Sequence, residues 1–204
     1  MKKLGWIVFA FSAVSIGLFP IMYLVVQVPV GLLLTKSPEL LASVLWKIAF
    51  YQHIIFGGLA LLVGWSQFSA QWRNRYTHVH RLLGKVYVGA CLLSGSAALY
   101  LAYHATSGAM ASLGFGSLGV LWIYTTLRAF FSIRKKQINA HQTWMIRSYA
   151  LTFAAVTLRI LLPLSQVAGI NFYDAYPVIA WASWVPNLLV AEWIVSRMRL
   201  PHFI

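Results

Sequence analysis

Residues 141–159 read HQTWMIRSYALTFAAVTLR. At 1.5 Å per residue, His141 and Arg159 lie about 27 Å apart on a helix, close to the thickness of a bilayer's hydrocarbon core. The stretch is long enough to span a membrane, yet it carries a histidine, two arginines, a serine and three threonines. At 100° per residue, His141, Met145, Ser148, Thr152, Ala155 and Arg159 fall within about 80° of one another. These six form one stripe of mostly small or polar side chains, and that stripe should face the interior of a helical bundle.

The rest of the chain sets the solvent. Of 204 residues, 60% are hydrophobic and 9% charged, with only three acids, Glu39, Asp174 and Glu192. A water-soluble domain carries about 25% charged residues. The net charge of +13 would suit nucleic acid, but the cations sit in short clusters between long apolar runs, not on one soluble face. Nucleic acid is excluded as a partner, and the lipid bilayer is expected.

Six segments are apolar enough to span: roughly 4–27, 46–69, 82–104, 111–133, 142–165 and 177–197. Together they make one transmembrane domain over residues 1–204, an all-α bundle. The first segment follows Lys2-Lys3 but exceeds a signal peptide's apolar length, so it reads as an uncleaved helix. Pro20 and Pro29 are candidates to kink or end it, and Val30 to Leu34 extend it or lie at the interface.

With the N-terminus inside, the cytoplasmic side holds twelve lysines and arginines against two outside, Lys36 and Lys47. The positive-inside rule then puts both termini in the cytoplasm, and the even helix count agrees. Trp6, Trp46, Trp65, Trp72, Trp144 and Trp193 lie near span ends, where aromatic belts form.

Ionisable residues inside a membrane are costly and mark candidate sites. They are Arg128, Arg147, Arg159 and Glu192, with Asp174 just beyond the fifth span. Arg159 with Asp174 is an expected ion pair on the outer side. Glu192 should pair with one of the cytoplasmic-half arginines. Such pairs either fix helix packing or serve a transported or bound anion.

Two further stripes resemble that of the fifth span: His53, Gly57, Ala60, Gly64 and Gln67, and His80, Gly84, Tyr87, Cys91, Ser94 and Ala98. Small residues at this spacing let helices approach closely. They also leave room for a flat cofactor. Histidine is an axial ligand of haem iron, so His53, His80, His104 and His141 are candidate haem ligands. By depth they would pair as His80 with His141 and His53 with His104. No CxxCH motif is present, so the haem would be non-covalent haem b. Soluble-enzyme signatures such as GxSxG, a Walker loop and HExxH are absent.

The histidine of the second span, HRLLGKVYV (80–88) and the fifth-span motif with His141, Trp144, Met145, Arg147, Ser148, Tyr149 and Arg159 resemble a bacterial membrane family known as domain of unknown function 2306. The resemblance covers roughly residues 45–165. It implies a multi-spanning inner-membrane protein and no established activity. The histidine layout is also similar, in architecture only, to four-helix transmembrane cytochromes b. The leading expectation is haem-b or quinone-linked electron transfer. The alternatives are a small transporter or anion-binding protein using Arg147, Arg159 and Glu192, or a non-catalytic subunit of a membrane complex.

Overall fold

The computed structural model describes residues 3–26 and 31–199. The expectations placed on Lys2, Pro29 and Val30 lie outside them. All regular structure among the described residues is helical. The helices are α1 (Lys3–Leu18), α2 (Pro20–Val25), α3 (Pro38–Ala42), α4 (Val44–Gly64), α5 (Ala70–Arg75), α6 (Thr77–Tyr103), α7 (Ala109–Arg134), α8 (Ile138–Thr152), α9 (Ala154–Val167), α10 (Phe172–Ala182) and α11 (Val185–Arg199). Short 3₁₀ turns cover Gly31–Thr35 and Trp65–Phe68. All but α3 and α5, which lie between spans, contribute to six spans: Lys3–Val25, Val44–Phe68, Thr77–Tyr103, Ala109–Arg134, Ile138–Val167 and Phe172–Met198. The spans alternate in direction, so the first begins and the sixth ends at the same side of the bundle.

Three spans are broken, each for a local reason. Proline lacks an N–H and clashes with the carbonyl four residues earlier. Pro20 interrupts the first span, and Pro186 ends α10 at Ala182. In the fifth span the Thr152 hydroxyl donates to the Ser148 carbonyl at 3.0 Å. Such back-bonding bends helices, and α8 gives way to α9 at Phe153. Helix ends are set by side chains as well. Ser43 caps α4 by accepting from the Trp46 N–H, and Asn171 caps α10 by accepting from the Tyr173 N–H. Lys136 adopts the left-handed conformation, φ 58°, and the Gln137 N–H returns to the Ser132 carbonyl to close α7.

Helices α4, α6, α7 and α8 form a four-membered ring. α6 packs on α4 and α7, and α8 packs on α7 and touches α4, so α6 and α8 stand diagonally opposite. The first span lies against α4, and the sixth against α7, α8 and α9. Glycines allow the closest approaches. A Cβ on Gly58 would sit 2.6 Å from the Gly17 carbonyl oxygen, and one on Gly64 would sit 2.3 Å from the Tyr149 ring. The outer surface is apolar: Phe11 (71% exposed), Leu113 (63%) and Leu189 (64%) point away from the bundle. In water such a surface would drive aggregation; in a bilayer it meets lipid chains.

The spans differ from the expected ones chiefly at polar ends. The third starts at Thr77, not 82, the fifth runs 138–167, and the sixth starts at Phe172, not 177. Hydrophobicity marks where lipid begins, but the helix continues until its backbone groups find other partners. Trp46 is 4% exposed and stacks on Phe50, so it belongs to the core and not to an interfacial belt.

Candidate functional site

The centre of the bundle is a hydroxyl network. Tyr87 of α6 reaches across the diagonal, its hydroxyl 2.8 Å from both the Ser148 and Thr152 hydroxyls of α8. Thr126 of α7 lies 2.7 Å from the Ser148 hydroxyl, and the Trp122 indole donates to the Thr152 hydroxyl at 2.8 Å. All five side chains are buried. Thr152 sits at the middle of the fifth span, so this network lies near the bilayer midplane. Polar groups there have no water to turn to, so each must find a partner within the protein. The polar stripe of the fifth span thus faces other helices at its centre. Sequence reasoning placed Tyr87, Ser148 and Thr152 on inward stripes but missed Trp122 and Thr126, whose spacing on one face of α7 was the available signal.

The histidines fall into three situations. His53 is held against α6, its Nδ1 3.1 Å from the Ser94 carbonyl and 3.0 Å from the Ser94 hydroxyl. The carbonyl can only accept, so Nδ1 carries the proton. His104 caps α6 and stacks edge-on with Tyr100 and Tyr103. His53 faces Ser94, ten residues short of His104 on α6, which is about 15 Å along the axis. The structure therefore does not bring His53 and His104 together.

His80 and His141 are different. Each lies two helical turns before a member of the central network, His80 before Tyr87 and His141 before Ser148. Helices α6 and α8 run in the same direction on the diagonal, so both histidines reach the same depth, on the same faces as the network. They lie within electrostatic reach of each other. Both sit in the second turn of their helices, not at the helix starts expected from hydrophobicity. The Nδ1 of His141 donates to the Ala129 carbonyl at 2.9 Å, which leaves Nε2 as the open lone pair. Gly84, one turn after His80, faces open space: a Cβ there would meet nothing within 4 Å.

The charged residues separate as well. Arg147 and Glu192 form a two-pronged pair, Nε to Oε1 at 2.5 Å and Nη2 to Oε2 at 2.8 Å. Trp144 is flanked by two guanidiniums, Arg147 at 4.6 Å and Arg128 at 4.8 Å from the ring centre. The tryptophan read as an interfacial anchor is thus a cation–π platform. A lateral cleft of about 380 Å³ opens beside it, bounded by Tyr124, Trp144, Arg147 and Glu192.

The expected pair of Arg159 with Asp174 does not form. Asp174 lies exposed in the first turn of α10. Arg159 folds back along α9, Nη1 donating to the Ala155 carbonyl at 3.1 Å, with its guanidinium 4.8 Å from the Phe19 ring. Sequence position gave the depth of each charge but not the direction of its side chain.

The family model described as "Predicted membrane protein (DUF2306)" matches residues 50–195, from the second span into the sixth. The chain belongs to this family. The match takes in most of α4 and all of α6, α7 and α8, with the central network, His80 and His141, and leaves out the first span. No curated protein and no solved structure matches the chain.

Proposed function

We propose that this DUF2306 protein is a membrane electron carrier that holds one haem b between His80 and His141. The observation that carries the reading is their register: two inward-facing histidines at one depth on diagonally opposed, parallel helices. Neighbouring helix axes 8–10 Å apart place diagonal axes about 13 Å apart, room for a flat group between two imidazoles. Two features support the fit. The Ala129 carbonyl fixes the tautomer and ring orientation of His141, as carbonyl partners do for metal-ligating histidines. Gly84 provides open space one turn above His80, and the Tyr87 hydroxyl network closes the site toward the membrane centre.

Such a haem would supply a one-electron couple within the membrane. The ring presents one histidine pair and not two, so the proposal is a single site near one face. The positive-inside rule favours the cytoplasm for that face, and a bacterial inner membrane is the proposed location. The cleft beside Trp144 lies in the same half of the bundle and is the place where a quinone headgroup would exchange electrons. Absorbance of protein purified from haem-replete cells tests the proposal. A Soret band at about one haem per chain is expected. Colourless protein that also fails to take up added haemin refutes it.

A further inference from the structure

Arg159 carries a charge that no carboxylate among the described residues answers. The chain has three acids. Glu192 is committed to Arg147, and Glu39 and Asp174 are exposed in other surroundings. Glu39 sits in the first turn of α3, where Ser37 and the backbone stabilise its carboxylate. Arg159 lies two turns past Thr152, about 10 Å from the membrane midplane and inside the hydrocarbon layer.

An arginine that only needed to escape lipid would extend toward the nearer headgroups. Arg159 does the opposite. Its bond to the Ala155 carbonyl holds the guanidinium one turn back toward the centre, against Phe19. Tyr23, whose ring meets Phe19 edge-on, and His53 of α4 are both within electrostatic reach of it. The close contact between Gly17 and Gly58 presses the first span onto α4 and so assembles the group from three spans. Among the described residues, one carbonyl accepts from the five N–H donors of this guanidinium.

We infer that Arg159, with His53 and Tyr23 beside it, is the binding site for an oxyanion, a carboxylate or a phosphate. The guanidinium fork matches both geometrically, and an anion there neutralises a charge otherwise held in hydrocarbon at high cost. The site is independent of the histidine pair, which lies on the other side of the central network. It also narrows the anion-binding alternative to Arg159 alone, because Arg147 and Glu192 neutralise each other.

The test uses the full chain in two settings. In detergent, unfolding temperature is followed while acetate, then phosphate, is titrated at constant ionic strength. In nanodiscs of phosphatidylcholine with or without phosphatidylglycerol, retained lipid is read by native mass spectrometry. Saturable stabilisation by acetate or phosphate, weakened at least tenfold in Arg159→Gln, supports a free oxyanion. Selective retention of phosphatidylglycerol that is lost in Arg159→Gln supports a lipid headgroup. If Arg159→Gln does not fold, Arg159→Lys serves: it keeps the charge, loses the fork and should still weaken binding severalfold. No saturable response in either setting, or an unchanged response in the variants, overturns the inference.

Discussion

Gly64→Ala and Gly89→Ala are the same chemical change on two spans, and the structure gives them opposite signs. A Cβ on Gly64 would lie 2.3 and 2.6 Å from two carbons of the Tyr149 ring and 3.0 Å from the Tyr87 ring. The Tyr149 ring must retreat by about 1 Å to restore ordinary contact. It cannot swing freely, because its hydroxyl donates to the Leu61 carbonyl at 3.1 Å and its other face meets Phe68 and Phe9. Overpacking costs about 1–3 kcal/mol, and loss of the Leu61 bond adds about 0.6 kcal/mol, typical of hydrogen bonds inside membranes. The helix gains back about 0.5–1 kcal/mol when glycine becomes alanine. Gly64→Ala should therefore destabilise by about 0.5–3 kcal/mol. A Cβ on Gly89 meets nothing within 4 Å, so only the helix gain of about 0.5–1 kcal/mol remains. The helix gain is common to both, so the two variants should differ by about 1.5–3.5 kcal/mol, roughly a hundredfold in the unfolding equilibrium at the middle of that range. Reversible unfolding in mixed detergent micelles measures the difference. Equal stabilities, or a Gly64→Ala variant as stable as the parent, would refute the packing of α4 against the two tyrosines.

Further outcomes follow from the same contacts. Tyr87→Phe and Ser148→Ala each remove two hydrogen bonds while leaving every partner another one, so each should cost only about 1 kcal/mol in the same assay; a cost above about 3 kcal/mol would mean that the network is not shared as described. Glu192→Gln strips Arg147 of its carboxylate, and because the pair is partly exposed the loss should be about 1–3 kcal/mol, recovered in part by the charge-reversed double variant. Lys36 donates to the His104 carbonyl and the Thr106 hydroxyl, and burial holds its pKa below the ordinary lysine value. The unfolded chain therefore binds the extra proton between the folded pKa and about 10.5. Stability should rise with pH across that window and fall back below it, and Lys36→Met should remove this part of the pH profile.

The spans were legible because crossing a membrane demands about 20 apolar residues, a signal that 46–69 and 111–133 carry without ambiguity. Their ends were not, because Thr77–Arg81 and Phe172–Tyr176 are helical for backbone reasons that hydropathy ignores. The stripe from His141 to Arg159 was legible as inward-facing, since 100° per residue fixes which side chains share a face. Its partners were not. Whether Ser148 meets a cofactor or Tyr87 depends on how α6 and α8 stand across the ring, and no single helix encodes that. Charges showed the same division: Glu192 was expected to find an arginine and takes Arg147, whereas Asp174 and Arg159 point apart despite their nearness in sequence.

We propose one haem site, formed by His80 and His141 and not by the other histidines. The haem-to-protein ratio of four single alanine variants tests it most directly. His80→Ala and His141→Ala should lose the haem while remaining folded, and His53→Ala and His104→Ala should keep it near one per chain. Retention in His141→Ala, or loss in His53→Ala, would contradict the account.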